Sequence, residues 1–196
     1  RETLMTAIEP YVTSGFKQMM TAGSAEEKLE VMDNFKILCA VNSGPYGTLS
    51  INHLCENILL SDKNFDISQR LLDRIIMIRA NDYKKELFNG DCGIVTGDRE
   101  NERAVFKDPE KGIKTYRTTD LPGNDPAFAI TIHKSQGSEF KTVLIVIPDR
   151  LNPVLTRQLL YTGITRARQK VVFAGNLDIV KQAAGHSVNR MSGLTD

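Results

Sequence analysis

Seven consecutive positions, His133, Lys134, Ser135, Gln136, Gly137, Ser138 and Glu139, follow Thr131 at the end of an apolar run and lead into another, Val143 to Ile147. An imidazole, an ammonium, hydroxyls, an amide and a carboxylate around one glycine are the groups that hold phosphate, ribose or a nucleic-acid backbone, and a strand end can aim them. A solvated loop of ordinary polar residues accounts for the same composition equally well. A second polar cluster, Thr162, Gly163, Thr165, Arg166 and Arg168, closes the run Leu159-Leu160-Tyr161 just before the apolar stretch Val171-Val172-Phe173-Ala174. Guanidinium groups stay charged and fork onto phosphate oxygens, so an arginine here is suited to phosphate contact. The alternative for Arg166 is a cation complementing a helix C-terminus, worth about 0.3–1 kcal/mol.

Taken together, Thr131-Ile132-His133-Lys134-Ser135-Gln136-Gly137-Ser138-Glu139-Phe140 and Leu159-Leu160-Tyr161-Thr162-Gly163-Ile164-Thr165-Arg166-Ala167-Arg168 resemble motifs V and VI of superfamily-one helicases, in order and spacing. The wording of the first resembles the RecD branch, the alpha subunit of exodeoxyribonuclease V, rather than the UvrD-like branch. Three further stretches are similar to that branch: residues 37–58, residues 79–95 and the segment 189–194 near the end.

The resemblance implies roles. Arg166 matches the motif VI arginine and is expected to be the catalytic finger on the γ-phosphate. Glu139 matches the acidic residue used around ribose and phosphate; Gly137 lets backbone approach the nucleotide, with Gln136 and Ser138 beside it. Thr131 and His133 are expected on single-stranded DNA, with Ser135 grouped with them. Lys134 could serve nucleotide or DNA. Arg79, just past a strand end, is a weaker candidate for phosphate contact beside its plainer reading as a surface charge.

These residues need elements to hold them. Apolar runs at 35–41, 75–79, 127–132, 142–147 and 170–175 alternate with helical patterns, which reads as a parallel α/β sheet with functional loops at carboxyl strand ends. Leu4, Ile8, Tyr11, Val12, Phe16 and Met19 form a helical stripe; Ser24 with Glu27 reads as a capping box. Thr48 opens an amphipathic helix carrying Ile51, Leu54, Cys55, Ile58 and Leu59, and Asn152 with Pro153 reads as the start of the motif VI helix. Short runs at 93–96, 103–106 and 113–117, separated by turn signals, suggest a small antiparallel barrel. By resemblance the fold is a RecA-like parallel sheet with flanking helices, over 1–90 and 127–196, with an SH3-like barrel inserted at 91–126.

Composition narrows the rest. The chain has 196 residues, 41% hydrophobic and 25% charged, with net charge +1. That is enough for one good core, and any DNA contact must come from local charge. Cys39, Cys55 and Cys92 lack metal-ligand spacing and read as small buried hydrophobes in a reducing, cytoplasmic setting. With no Trp, 5 Tyr and 8 Phe, a base-stacking platform looks poor. No G-x-x-x-x-G-K-[ST] loop is present, and the first residue is Arg1 rather than Met. The expectation is half of a motor, inactive alone, with ATP and Mg²⁺ held mainly by a first RecA-like domain. The resemblance further implies 5′–3′ translocation, RecB and RecC as partners, and DNA end processing in recombinational repair. Two readings stand beside it: a non-catalytic docking module of that complex, and part of a stand-alone RecD-like helicase.

Overall fold

The computed structural model describes residues 2–61, 73–97, 101–108, 110 and 112–185. The segment 189–194 therefore lies outside the described residues. The first half runs α1 (Glu2–Thr21), α2 (Ala25–Val31), β1 (Phe35–Cys39), α3 (Thr48–Ser61), β2 (Arg74–Ile78) and β3 (Cys92–Thr96). The second runs β4 (Arg103–Asp108), β5 (Gly112–Arg117), β6 (Asn124–Pro126), β7 (Ala129–Thr131), β8 (Phe140–Val146), α4 (Arg157–Ile164), β9 (Ala167–Ala174) and α5 (Leu177–Gly185).

Most of the stripe on α1 turns inward as its spacing requires, while Tyr11 stays exposed. Ile8, Val12, Phe16 and Met19 are buried, and the Phe16 ring sits edge-on to Phe35 at 5.1 Å and Phe128 at 5.0 Å. Edge-to-face aromatic contact adds to the burial of so much apolar area. The box at α2 forms with a shift: Ser24 Oγ accepts the Glu27 N–H, while the Glu27 carboxylate reaches back to the Gly23 N–H. Burial pushes the thiols of Cys39 and Cys55 up, as for inert small hydrophobes.

The four parallel strands lie in the order β7-β1-β8-β9. Every residue of β1 and the last four of β8 are buried, as parallel strands covered on both faces must be. The strand expected at 75–79 does not join them. β2 instead pairs antiparallel with β3 and β6, in a second sheet ordered β5-β4-β3-β2-β6. Its side chains alternate: Ile75 and Met77 pack into the main core, while Ile76 and Ile78 build a smaller core with Leu87, Val95, Ala104 and Phe106. A strand with apolar partners on both faces reads as a continuous apolar run, which in sequence is the mark of a central parallel strand. The short strands expected downstream are present, in an antiparallel sheet that starts at Arg74; among the described residues its outer strands β5 and β6 do not pair to close a barrel.

Strand β7 is an edge, and an edge exposes unpaired N–H and C=O groups. Asn52 of α3 covers it. Its Oδ1 accepts the Ala129 N–H at 2.8 Å, and its Nδ2 donates to the Ala129 carbonyl at 2.8 Å and the Pro126 carbonyl at 2.9 Å. The buried amide thus acts as one more residue of strand, just before the polar loop begins. Each buried group left unpaired costs about 1–3 kcal/mol, so Asn52→Leu is expected to lower unfolding free energy by on the order of 3 kcal/mol in urea denaturation. Among the described residues no helix is long and apolar enough to cross a membrane.

Candidate functional site

The polar loop leaves β7 at Thr131 and turns through a short 3-10 segment, His133–Ser135. The Thr131 Oγ1 accepts the Lys134 N–H, and backbone bonds from Gln136 to His133 and from Ser138 to Ser135 close successive turns. Ser135 has no exposed surface, and its hydroxyl donates to the Ile132 carbonyl at 2.7 Å. It is spent on the turn and does not face DNA, contrary to its grouping above. Gln136, Gly137, Ser138 and Glu139 are exposed. Gly137 has φ of +87° with open space where a side chain would stand. Only glycine takes that conformation without strain, and nothing obstructs a ligand reaching its backbone.

Strand register gives the loop its reach. Thr131 and Val146 both pair with Cys39, and Val146 lies six residues along β8 from Phe140. At roughly 3.3 Å per residue that is about 20 Å. The loop therefore runs from the carboxyl end of the sheet, where Thr131 sits, to the amino end, where Ser138 and Glu139 lead into β8.

Arg166 waits at that amino end. The expected helix start at Asn152 and Pro153 is late by several residues: Asn152 Oδ1 accepts the Val154 N–H in a turn, and α4 begins at Arg157 with Thr156 as its cap. A cap hydroxyl competes well with a proline signal when it meets the third backbone N–H, here that of Leu159 at 3.2 Å. Gly163 lets α4 settle on the sheet, since a methyl there would meet Ile145 and Ile132 at 3.1 and 3.2 Å. Arg166 follows the helix in a turn and Arg168 lies in β9, so neither is helical.

The two motifs are joined by backbone and side chain. The Phe140 N–H donates to the Arg166 carbonyl at 2.8 Å. Arg166 donates from Nη1 to the Ser138 carbonyl at 3.1 Å, from Nε to the Thr162 carbonyl at 3.2 Å and from Nη2 to Thr165 Oγ1 at 3.3 Å. Arg168 lies against Glu139, with Nε 3.9 Å from Oε2 and Nη2 3.4 Å from the carbonyl. Both partners are more than half exposed, so this ion pair orients more than it stabilises. Arg166, Ser138, Glu139 and Arg168 thus line one wall.

The remaining candidates divide. His133 and Gln136 face an open cleft of about 680 Å³ with Thr156, Gln158 and Thr162 of the α4 region. Thr131 and Lys134 line a smaller cavity of about 120 Å³ with Asn42, Thr48, His53 and Asp125. Thr131 and His133, expected to face one strand of DNA together, open into different cavities. Arg79 stands apart on the second sheet, its N–H on the Gly123 carbonyl and its Nε 3.6 Å from Asp125 Oδ1. Among the described residues it bonds to Gly123 and Asp125, not to residues 136–139. Sequence reasoning passed over Asn42 and His53 as site residues; the available signal was Asn42 three residues past the end of β1, at the same sheet end as Thr131. Thr165, a second-motif hydroxyl holding the arginine, gave no signal of its own. Among the described residues no three His, Cys, Asp or Glu side chains gather to hold a metal ion.

Residues 126–174, spanning both motifs, match the model of the UvrD-like helicase C-terminal domain. It is a superfamily-one helicase C-terminal region. RecD homologues extend the likeness over most of the helicase region. The RecBCD enzyme subunit RecD of Mycolicibacterium smegmatis is 32% identical over 98% of this chain and 34% of its own length. That of Haemophilus influenzae is 42% identical over 61% of this chain and 17% of its own. The chain thus spans about a third or less of the length of these curated relatives. A crystal structure of Pif1 helicase from Bacteroides in complex with ADP-AlF3 and ssDNA superposes with a TM-score of 0.48 at 16% identity, covering 87% of this chain and 48% of that one.

Proposed function

We propose that this helicase region is the second motor half of a RecD-type enzyme, coupling ATP hydrolysis to 5′–3′ movement along single-stranded DNA. The observation that carries the reading is the loop from Thr131 to Glu139. It is one short, hydrogen-bonded segment whose two ends lie about 20 Å apart, one beside Thr131 and the other under the Arg166 guanidinium. A shift at either end is passed to the other, as a motor requires.

ATP is the substrate, with its phosphates and Mg²⁺ held mainly by a first RecA-like domain. Arg166 meets the γ-phosphate as the cleft shuts, Glu139 accepts from the ribose side, Gly137 and Ser138 complete the wall, and Gln136 reaches the nucleotide from the adjoining cleft. His133, Thr131 and Lys134 contact the DNA backbone. The chain alone turns over no ATP, and the relatives' names make RecB and RecC the natural partner subunits.

The test is DNA-stimulated ATP hydrolysis and strand displacement by the full-length protein; no stimulation by single-stranded DNA would overturn the reading. Lys134→Ala separates the two ligands. If its ammonium meets a phosphate of DNA, the slope of log affinity against log salt becomes shallower by about one. An unchanged slope with a raised KM for ATP assigns Lys134 to the nucleotide instead.

A further inference from the structure

Beyond β2 the chain folds back at once, and the Ile78 carbonyl and N–H bond to Gly90 and Asp91 across the base of the loop. Nearly every polar group inside is committed to its shape. Asp82 and Leu87 exchange two backbone hydrogen bonds, and the Asp82 carboxylate accepts from the Lys84 and Lys85 N–H groups and the Lys85 ammonium. Asn81 accepts the Asn89 N–H, Asp91 accepts the Phe88 N–H, and Tyr116 donates to the Lys85 carbonyl. Leu87 is fully buried beneath, and Glu86 holds a φ of 53°, a conformation rare outside glycine.

This frame holds two aromatic rings out in water. Tyr83 is 76% exposed and Phe88 45% exposed. Their centroids lie 6.1 Å apart at 74°, and Asn81 Nδ2 donates to the Tyr83 hydroxyl at 3.2 Å. Backbone strain and five side chains spent on a surface loop require a compensating use.

We infer that Tyr83 and Phe88 are a stacking platform for unpaired bases of a single-stranded nucleic acid, extending the DNA path of the proposed function, on which the inference rests. Continuity favours this occupant. Arg79 begins the loop and reaches Asp125, which lines the cavity holding Thr131 and Lys134. The surroundings favour it as well: Asn81, Lys84, Glu86, Asn89 and Gly90 are all exposed around the rings. A protein hot spot needs a ring of contacts that excludes water, whereas a base needs only a π-face and a nearby cation for its phosphate. Lys84 gives its backbone N–H to Asp82, and its exposed side chain supplies a cation beside the rings for that phosphate.

The experiment uses the full-length protein with oligodeoxythymidylate carrying 5-iodouracil. Ultraviolet crosslinks are expected in the peptide containing Tyr83 and Phe88, and Tyr83→Ala with Phe88→Ala should weaken oligonucleotide affinity about five- to hundredfold, one base stack being worth about 1–3 kcal/mol. A strand abasic at the stacked positions should bind wild type and variant alike. Unchanged affinity of the double variant, or an equal loss on the abasic strand, overturns the inference. Unchanged affinity together with lost co-purification of partner subunits overturns it too, assigning the rings to protein docking. A parallel His133→Ala, Lys134→Ala arm tells the two readings apart: if it binds DNA normally while the ring variant does not, the track past the polar loop fails and the platform stands.

Discussion

Full-length protein carrying Arg166→Ala is expected to bind ATP nearly as wild type and hydrolyse it about a thousandfold more slowly, or worse, when single-stranded DNA is present. The magnitude is that of an arginine finger, and the geometry says why so much rests on one side chain. Three of the five guanidinium N–H donors are spent on Ser138, Thr162 and Thr165. Those bonds set the plane of the group and leave two donors for phosphate oxygens. A preset charge costs no reorganisation at the moment of reaction. Arg166→Lys should not restore turnover, because an ammonium cannot span the same three acceptors and still fork onto phosphate. The purely structural role, complementing the α4 C-terminus through Thr162, predicts something different: a stability loss of about 1 kcal/mol or less, with normal kcat. Single-turnover hydrolysis, fluorescent-nucleotide binding and thermal denaturation of the same variants separate the two. Normal turnover in Arg166→Ala removes the finger.

The wall that carries this prediction is legible in the sequence because it depends on residues within two motifs, each fixed by a strand that precedes or follows it. The rest was hidden for identifiable reasons. Ser135 looks like its exposed neighbours in a polar run, and only the 3-10 turn sends its hydroxyl back to Ile132. The run Ile75 to Ile78 is apolar because two cores flank it, and a sequence records burial without recording which sheet supplies it. Asn52 sits among polar residues of an amphipathic helix, and its partners are 74 and 77 residues away. The aromatic count is a fair reading of composition, but a count does not record that Tyr83 and Phe88 are exposed and set edge to face in one loop. Thr131 and His133 were grouped by motif, but a single turn between them was enough to aim them into separate cavities.

The largest stability effect is expected at Lys28. Its ammonium is 2.7 Å from both carboxylate oxygens of Asp73, and the two residues are 6% and 3% exposed. The pair ties α2, which packs on α1 and on strands β3 and β4, to the residue that leads into β2 of the second sheet. Removing one member leaves the other buried and uncompensated, so Lys28→Met should cost about 3–5 kcal/mol. Lys28→Met with Asp73→Leu should recover most of that, since an apolar pair of similar volume avoids desolvating two charges. The pH dependence follows from Asp73. Burial already holds its carboxyl above the usual carboxylate range, against the lowering effect of the Lys28 hydrogen bond and charge. Without Lys28 only the Thr96 hydrogen bond still opposes the upward push. A folded pKa above the unfolded one, itself near 4, gives stability that is fully present below the unfolded value and lost as pH rises through the folded one. The deficit of Lys28→Met should therefore be smallest near pH 4 and grow toward neutrality, whereas the double variant, lacking the carboxyl, should show no such growth relative to wild type. Urea denaturation across that range reads both. A deficit in Lys28→Met that stays constant with pH would mean that the carboxylate finds water once its partner is gone, and that the junction between α2 and the second sheet is looser than its packing implies.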